Sequence, residues 1–542
     1  MRALPGFRCR HPLPPRARII LLIGAFAALG LTLRLILLID AGWRYDYDEG
    51  MVGLQALHIL RGDRPVFHPG QPYLAALESY TIAALFYIFD ANAVTLKLIP
   101  WLLSGLYVAT CGAIGWRAFN RRVGALSALL AALAPTYLLV VGTKTWGATA
   151  ETLVLGNLAL AAASLVIDPT LPAPARNRAV VLLGLVGGIA FWVSWLIAFY
   201  ALPILIVVGW QGRDVLRRMW LAAGLAFLVG SSPVWIYNIQ HNFATFTYLF
   251  EDRGSAWDDL WPVLDHLNYD LAPRMVSGDP AWRLLSWNAV WYLQIVYEGG
   301  LVGLIVWGWR GPWPEHSRAA RQMLALFVLG LPVIYVFSGY GSHALNEFGF
   351  DATGRYVLMI HSVLPVGVAA LADRLIRWRG WLRGVAAAMC ASVIGFNLLG
   401  AARIDPIRVF TSPYYTRQPA TLEPLIDYLD AQRIRHVWTD VGVAHVLMFE
   451  TKERILAADW YDIYGAKGLV RFPEAPLAIS AADRVAFVEV ILPGQRDTPF
   501  ERAFQQSGVP HTIARVTPDL LVIVPLAPID PAVVGDGLGY QF

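Results

Sequence analysis

Charge is what this chain has least of. Only 15% of its 542 residues are Asp, Glu, Lys or Arg, where a soluble domain carries about 25% because its surface must face water. Cysteine is scarcer still. Of three cysteines, Cys9 lies in the N-terminal segment while Cys111 and Cys390 lie inside apolar stretches. Neither a disulfide framework nor a zinc-type cluster is therefore expected. The net charge of +4 comes from arginines in short loops between apolar runs. That is a topology signal, not a nucleic-acid surface.

Apolar residues make up 57% of the chain, giving a mean hydropathy of +0.50. They are clustered, so the length predicts one large membrane body and one soluble tail rather than a row of soluble domains. The first run, 19–39, follows five arginines, Arg2, Arg8, Arg10, Arg16 and Arg18. It is too long for a signal-peptide core and no small-residue cleavage site follows it, so it reads as an uncleaved helix with a cytoplasmic N-terminus. A helix needs roughly 20 apolar residues to cross the hydrocarbon. Further runs lie near 94–116, 123–141, 148–167, 179–192, 194–210, 219–237, 289–309, 322–340, 355–372 and 382–400, predicting an α-helical polytopic membrane protein with about eleven transmembrane helices.

The stretch 73–89 is ambiguous, because Glu78, Ser79, Tyr80 and Thr81 interrupt it. Laid along the outer interface, it puts every dense basic loop inside: Arg117/Arg121/Arg122, Arg176/Arg178, Arg213/Arg217/Arg218, Arg310/Arg318/Arg321 and Arg374/Arg377/Arg379/Arg383. Threaded through the bilayer, it would face those loops outward. Parity also requires 179–209 to count twice. As one helix it would be about 46 Å long, too long for a roughly 30 Å core, so two short helices turning near Trp192–Trp195 are expected. The outer face then carries the first loop 40–93, loops at 142–147, 238–288 and 341–354, and the tail. Residues 1–402 form the membrane body and 403–542 a small extracytoplasmic α/β domain. Its expected strands are His436–Asp440, Arg484–Val490 and Leu520–Val524, with helices near Thr421–Ala431 and Phe500–Ser507. The segment Ala457–Asp462 reads as a turn or domain surface.

The sharpest local signal is Tyr45-Asp46-Tyr47-Asp48-Glu49-Gly50, just beyond the first helix. Three carboxylates this close repel one another at a membrane boundary, so they call for a cation, a proton or a hydrogen-bonding substrate. The alternative is that they solvate the helix exit. Met51 to Leu60 follows as an amphipathic helix, then the turn Arg61–Pro65 and the sequence His68-Pro69-Gly70-Gln71-Pro72-Tyr73. A loop of interface-hugging helices suits a lipid head-group substrate.

The run DEGMVGLQALHILRGDRPVFHPGQPYLAALESYTIAALFYIF resembles bacterial family 39-type glycosyltransferases of the GT-C fold. That group includes protein O-mannosyltransferase-like enzymes and the lipid A aminoarabinose transferase. The similarity continues through TLKLIPWLLSGLYVATCGAIGWRAFNRRVGALSALLAALAP, GTKTWGATAETLVLGNLALA and GRYVLMIHSVLPVGVAAL, covering the chain to about residue 400. The resemblance implies inverting transfer of a sugar from a polyprenyl-phosphate donor to a lipid, glycan or protein acceptor outside the cytoplasm of a bacterial inner membrane. The catalytic base it implies is best matched by Asp48, with Glu49 beside it and Asp46 nearby. One departure stands out: the aminoarabinose transferases carry a Lys-Pro element where this chain has Gln71-Pro72.

A carboxylate within hydrogen-bond reach can take the proton of an attacking hydroxyl. The lipid phosphate needs cations, for which Lys144, Arg355, Arg253, Arg274 and Arg283 are the external candidates. The planar fork of Arg355 suits phosphate best; its alternative is a snorkelling anchor. Tyr356 hydrogen-bonds the phosphate or belongs to the aromatic belt. Glu151, where the fold often places a second acid, is a cation ligand, a sugar-hydroxyl partner or a hydrated boundary carboxylate, and it leaves a divalent cation open. His58, Tyr73 and Glu78 join the substrate-binding candidates. His361 reads as an interhelical hydrogen bond, and Arg34 as a snorkelling or acid-paired side chain. The competing class is a transporter or flippase, which would show internal repeats and midplane charges. No convincing repeat is present, and the acids cluster at the outer boundary.

Overall fold

The structure is a computed structural model that describes residues 14–249, 260–278, 284–338, 354–412, 418–459, 471–492, 494–495, 498–531 and 534. Cys9, Arg253, Arg283, most of the loop 341–354 and residues 460–462 lie outside the described residues. Among those described, nine helices are long and apolar enough to cross a membrane. They include α1 (Pro15–Asp40), α4 (Ala93–Ala118), α7 (Thr149–Val166), α8 (Ala173–Val193) and α10 (Arg213–Gln240). The others are Trp287–Trp309, Glu315–Phe337, Arg355–Trp378 and Leu382–Ala402.

The two remaining expected crossings are present in shorter form. The run 123–141 is broken into α5 (Arg121–Ala132) and α6 (Thr136–Val141). Pro135 ends α5 because it has no N–H to continue the ladder. The carbonyls stranded at the break are taken up by Arg34, whose guanidinium donates to Ala132 O at 3.2 Å and Ala131 O at 3.5 Å. Arg34 therefore neither snorkels nor pairs with an acid. It satisfies backbone groups that have no water to turn to.

The second short crossing is the single-turn 3-10 segment Trp195–Ile197 followed by α9 (Ala198–Gln211). Its partner α8 begins at Ala173, not near 179, and is a full 21 residues long. The expectation of two half-length helices was thus wrong for the first. Asn177 and the arginines Arg176 and Arg178 hid its first turns from a hydropathy reading. The turn falls where expected, at Ser194, whose backbone is extended (φ −165°, ψ 143°). Helix α8 packs on α10 through small residues: a Cβ on Gly188 would stand 2.2 Å from Phe227 O, the close approach that replaces hydrophobic drive inside lipid.

Polar contacts sort the loops to two ends of the bundle. At one end, Arg117 meets Asp168 at 3.0 Å, Arg176 meets Asp214 at 3.1 Å, Asn120 donates to Asp373 at 2.8 Å, and Arg321 reaches Ala118 O at 3.4 Å. The basic loops thus share one face. At the opposite end lie the acids of the first loop. There α2 (Tyr47–Arg61) is followed by a two-stranded hairpin, β1 (Phe67–His68) and β2 (Gln71–Ala75), and by α3 (Leu77–Phe89). At 13 residues α3 is too short to cross.

The C-terminal α/β region holds a five-stranded sheet of order β4-β3-β5-β7-β6. Strands β3 (His436–Thr439), β5 (Ala486–Val490) and β7 (Leu520–Pro525) match the expected ones. Strands β4 (Leu456–Asp459) and β6 (His511–Thr517) are edges that lack the usual hydrophobic run, so the turn expected over 457–459 is a strand instead. One apolar core joins this region to the first loop. Met51, Val52 and Leu54 of α2 and Ile82 and Phe86 of α3 are buried with Leu425, Val443, Leu447 and Phe449.

Candidate active site

The acids sit where the first loop turns back over the bundle. Asp46 is the N-cap of α2: its Oδ1 accepts from the backbone N–H of Asp48 at 3.1 Å and of Glu49 at 3.2 Å. Glu49 returns the favour by accepting from Asp46 N at 3.2 Å, which closes a capping box. The rest of both carboxylates is committed too. Asp46 Oδ2 accepts from Lys144 Nζ and from Trp146 Nε1, each at 2.8 Å. Glu49 Oε1 is bonded to Lys97 Nζ and accepts from Thr145 N at 2.8 Å. Burial pushes the Glu49 carboxyl upward, and Lys97 works against that.

These two acids, both entirely enclosed, tie the loop to α4 and to the 142–147 turn. Lys144 is as enclosed as they are, held by Asp46 and by Phe410 O at 3.2 Å. The structure thus shows it as a buried counter-ion, where the sequence offered it as an external phosphate partner. Its neighbour in role, Lys97, was overlooked, although a lysine inside an apolar run is itself a signal.

Asp48 is arranged differently. One oxygen faces Arg355 Nη1 at 3.6 Å and the other faces Arg471 Nη2 at 3.8 Å. Both separations exceed a hydrogen bond. Arg355 opens the 3-10 segment Arg355–Ser362 and lies 5.5 Å over the ring of Tyr356. With Tyr73 it borders a small pocket of about 30 Å³ that also touches Trp146, Gly147 and Thr149. Tyr73 stacks on Tyr248 with ring centroids 4.9 Å apart. One turn beyond Arg355, Val357 and Ile360 line a much larger apolar cavity of about 440 Å³ between helices Trp287–Trp309 and Arg318–Phe337. Arg274, the other described arginine among the phosphate candidates, is buried beside Gly354.

A second polar group surrounds Gly147, which has φ +52° and cannot carry a side chain, since a Cβ there would stand 2.3 Å from His68 Nε2. Its N–H donates to Glu78 Oε2 at 2.7 Å. Glu78 Oε1, both oxygens of Glu151 and His68 Nε2 are buried without a hydrogen-bond partner among the described residues. Burial first, and the charge of Glu151 second, push the Glu78 carboxyl well above the ordinary carboxylate range. Among the described residues, no three His, Cys, Asp or Glu side chains meet at metal-ligating geometry.

His58 does not face this cleft. Its Nε2 lies 2.7 Å from Glu453 Oε1 in the C-terminal region, and Arg61 pairs with the same carboxylate. The helical period of α2 alone could not show this, because the partner is remote in sequence. His361 is held between Leu358 O and Met275 O, each at 3.0 Å, as a contact between segments.

No protein-family model matches the chain, and no curated protein matches it. Solved structures do. ArnT from Cupriavidus metallidurans bound to undecaprenyl phosphate is similar over 97% of this chain and 100% of its own, at 15% identity and a TM-score of 0.50. The archaeal oligosaccharyltransferase AglB from Archaeoglobus fulgidus, in complex with an inhibitory peptide and a dolichol-phosphate, is similar over 87% of this chain and 69% of its own, at 13% identity and a TM-score of 0.52. The Archaeoglobus fulgidus oligosaccharyltransferase in complex with Zn and sulfate gives 91%, 71%, 12% and 0.53 for the same measures. This chain has the GT-C fold. At such identities the likeness is one of architecture. Within the GT-C fold of this chain, Asp48 occupies the first loop after α1, and Arg355 sits at the head of a late membrane helix.

Proposed function

We propose that the chain is an inverting glycosyltransferase of a bacterial inner membrane. It moves a hexosyl or pentosyl group from a polyprenyl-phosphate donor to a lipid, glycan or protein acceptor on the outer face. Its N-terminus and basic loops face the cytoplasm, and residues 403–542 lie outside. One observation carries this reading: Asp48 and Arg355 face each other at 3.6 Å, and the segment headed by Arg355 goes on to line the 440 Å³ apolar cavity. A carboxylate, a guanidinium and an apolar chamber in that order suit an acceptor hydroxyl, a lipid phosphate and an isoprenoid chain.

In the reaction the acceptor oxygen attacks the anomeric carbon from the face opposite the phosphate. The bond from that carbon to the phosphate oxygen breaks, and the polyprenyl phosphate leaves with the electron pair. Asp48 takes the hydroxyl proton and later releases it to water. Arg355 balances charge on the departing phosphate, with Tyr356 and Tyr73 beside it, and the sugar is held near Glu151 and Glu78. Inversion is a single displacement and needs no carboxylate nucleophile, and phosphate, already a good leaving group, departs without a general acid.

The test is a transfer assay on purified protein in lipid, with a panel of radiolabelled polyprenyl-phosphate sugars and with extracted envelope lipids and glycans as acceptors. Label should leave the donor and appear in an acceptor fraction. Intact donor in every combination, together with donor movement across vesicles, would replace this reading with the transporter.

A further inference from the structure

Arg471 belongs to the C-terminal region, yet its guanidinium lies at the acid cluster of the first loop. Nη2 faces Asp48 Oδ1 at 3.8 Å, while Nη1 donates to Gln71 Oε1 at 2.7 Å and to Pro69 O at 3.4 Å. Its side chain is 15% exposed, so it is held in place and is not a surface arginine that happens to point inward. The next residue, Phe472, packs edge-on against the rings of His58 at 5.4 Å and His445 at 5.7 Å. His445 approaches Tyr47 O at 3.2 Å, in the residue before Asp48. Two histidines that feel the charge of the guanidinium, His68 and His445, are both pushed down to about 3, by burial first and by Arg471 second. They stay neutral and do not compete for the carboxylate.

We infer that Arg471 is a positioning residue for Asp48, and that the docked C-terminal region is thereby an integral part of the active site. The inference rests on the glycosyl-transfer reading of Asp48. Arg355 and Arg471 hold the two carboxylate oxygens from opposite sides, one from the membrane body and one from the tail. Both stand beyond hydrogen-bond distance, so the pair fixes the plane of the carboxylate by charge. Gln71 and Pro69 fix Arg471 in turn. Removing Arg471 takes away the cation facing Asp48 Oδ1, so the pull of Arg355 on Oδ2 is no longer balanced and the carboxylate shifts toward it, away from an incoming hydroxyl. A misplacement of that size costs on the order of 100-fold in rate.

The experiment compares Arg471→Ala, Arg471→Lys and Glu453→Gln in the full chain in lipid, reading kcat, the KM for a polyprenyl-phosphate sugar and the melting temperature. Glu453→Gln weakens docking at His58 and Arg61 without touching Asp48. The expected result is a kcat for Arg471→Ala lower by about 100-fold, with donor KM unchanged, partial recovery in Arg471→Lys, and little change in kcat for Glu453→Gln. Equal losses in Arg471→Ala and Glu453→Gln would reduce Arg471 to a docking contact and overturn the inference, as would an unchanged kcat. A rise in donor KM alone would make it a phosphate ligand and overturn it likewise. If the alanine variant does not fold, Arg471→Lys decides: a lowered kcat at wild-type melting temperature supports positioning, and a wild-type kcat refutes it. Wild type inactive on every donor counts against glycosyl transfer itself, a failure that the variants cannot mimic.

Discussion

Asp48→Asn and Asp46→Asn should fail in opposite ways, although the residues are two apart. Asp48 is ion-paired with arginines alone among the described residues, at 3.6 and 3.8 Å. Asparagine keeps its shape and removes its ability to accept a proton. Loss of a general base costs about 10²- to 10⁴-fold, or about 3–5 kcal/mol on the barrier, with binding retained. Asp46 instead neutralises Lys144 at 2.8 Å, with both side chains enclosed. Asparagine there still caps α2 but leaves the buried Lys144 ammonium facing only Glu49, 3.9 Å away and already paired with Lys97. Breaking such a pair costs about 3–5 kcal/mol of stability. The assay pairs single-turnover transfer with thermal unfolding of the same preparations. Asp48→Asn should melt like wild type and turn over at most 1% as fast, while Asp46→Asn should melt well below it. Wild-type turnover in Asp48→Asn would refute the assignment of the base. Equal melting of the two variants would refute the division of labour.

Three further outcomes follow from the same geometry. Arg34→Leu should lower stability by about 2–3 kcal/mol, because the carbonyls of Ala131 and Ala132 lose their donor inside the membrane; an unchanged melting temperature would show that they find another. Ile360→Trp should fill part of the apolar cavity and raise donor KM about tenfold, about the effect of a lost methylene or two; unchanged donor binding would place the lipid chain elsewhere. The third concerns pH. The Glu453 hydrogen bond raises the His58 pKa, with Arg61 opposing and Glu474 assisting, and Asp63 lies 3.7 Å away. That contact is complete below about 6.5 and is lost as pH rises through the raised value. The Glu453 pKa is lowered, chiefly by His58 and Arg61 against the effect of burial, so its share is lost only as pH falls below the carboxylate range. Docking of the C-terminal region should therefore loosen as pH rises above about 6.5 and through the raised His58 value. Hydrogen exchange in helix Val441–Glu450, corrected for intrinsic rate, should speed up as pH is raised through that range; unchanged protection would refute a role for the His58–Glu453 contact in docking.

The crossings were legible because each is a long apolar run, and the basic loops gave their parity. What the runs could not reveal were defects and partners. Pro135 broke one run, and Arg34, which looked like an anchor, proved to mend the break. The start of α8 was masked by Arg176 and Arg178, although a helix tolerates arginine readily where it leaves the hydrocarbon. In the C-terminal region the central strands β3, β5 and β7 announced themselves through burial, while the edges β4 and β6, lacking a hydrophobic run, did not.

The site was legible to the level of a cluster and no further. Three acids within four residues single out the first loop as the candidate, but only three-dimensional pairing separates them. Each acid of the cluster except Asp48 is matched at close range by a lysine contributed from elsewhere, Lys144 for Asp46 and Lys97 for Glu49. A buried carboxylate with a buried ammonium at hydrogen-bond distance has spent its charge on holding the fold. Asp48 instead meets guanidinium groups at a distance, drawn from Arg355 and from Arg471, which lie far apart in sequence. That difference in partner type and distance, rather than position within the motif, is what divides structural acids from the candidate base. On the positioning proposal for Arg471, the tail, the part of the sequence least readable on its own, bears on the chemistry by supplying one of the cations that face Asp48.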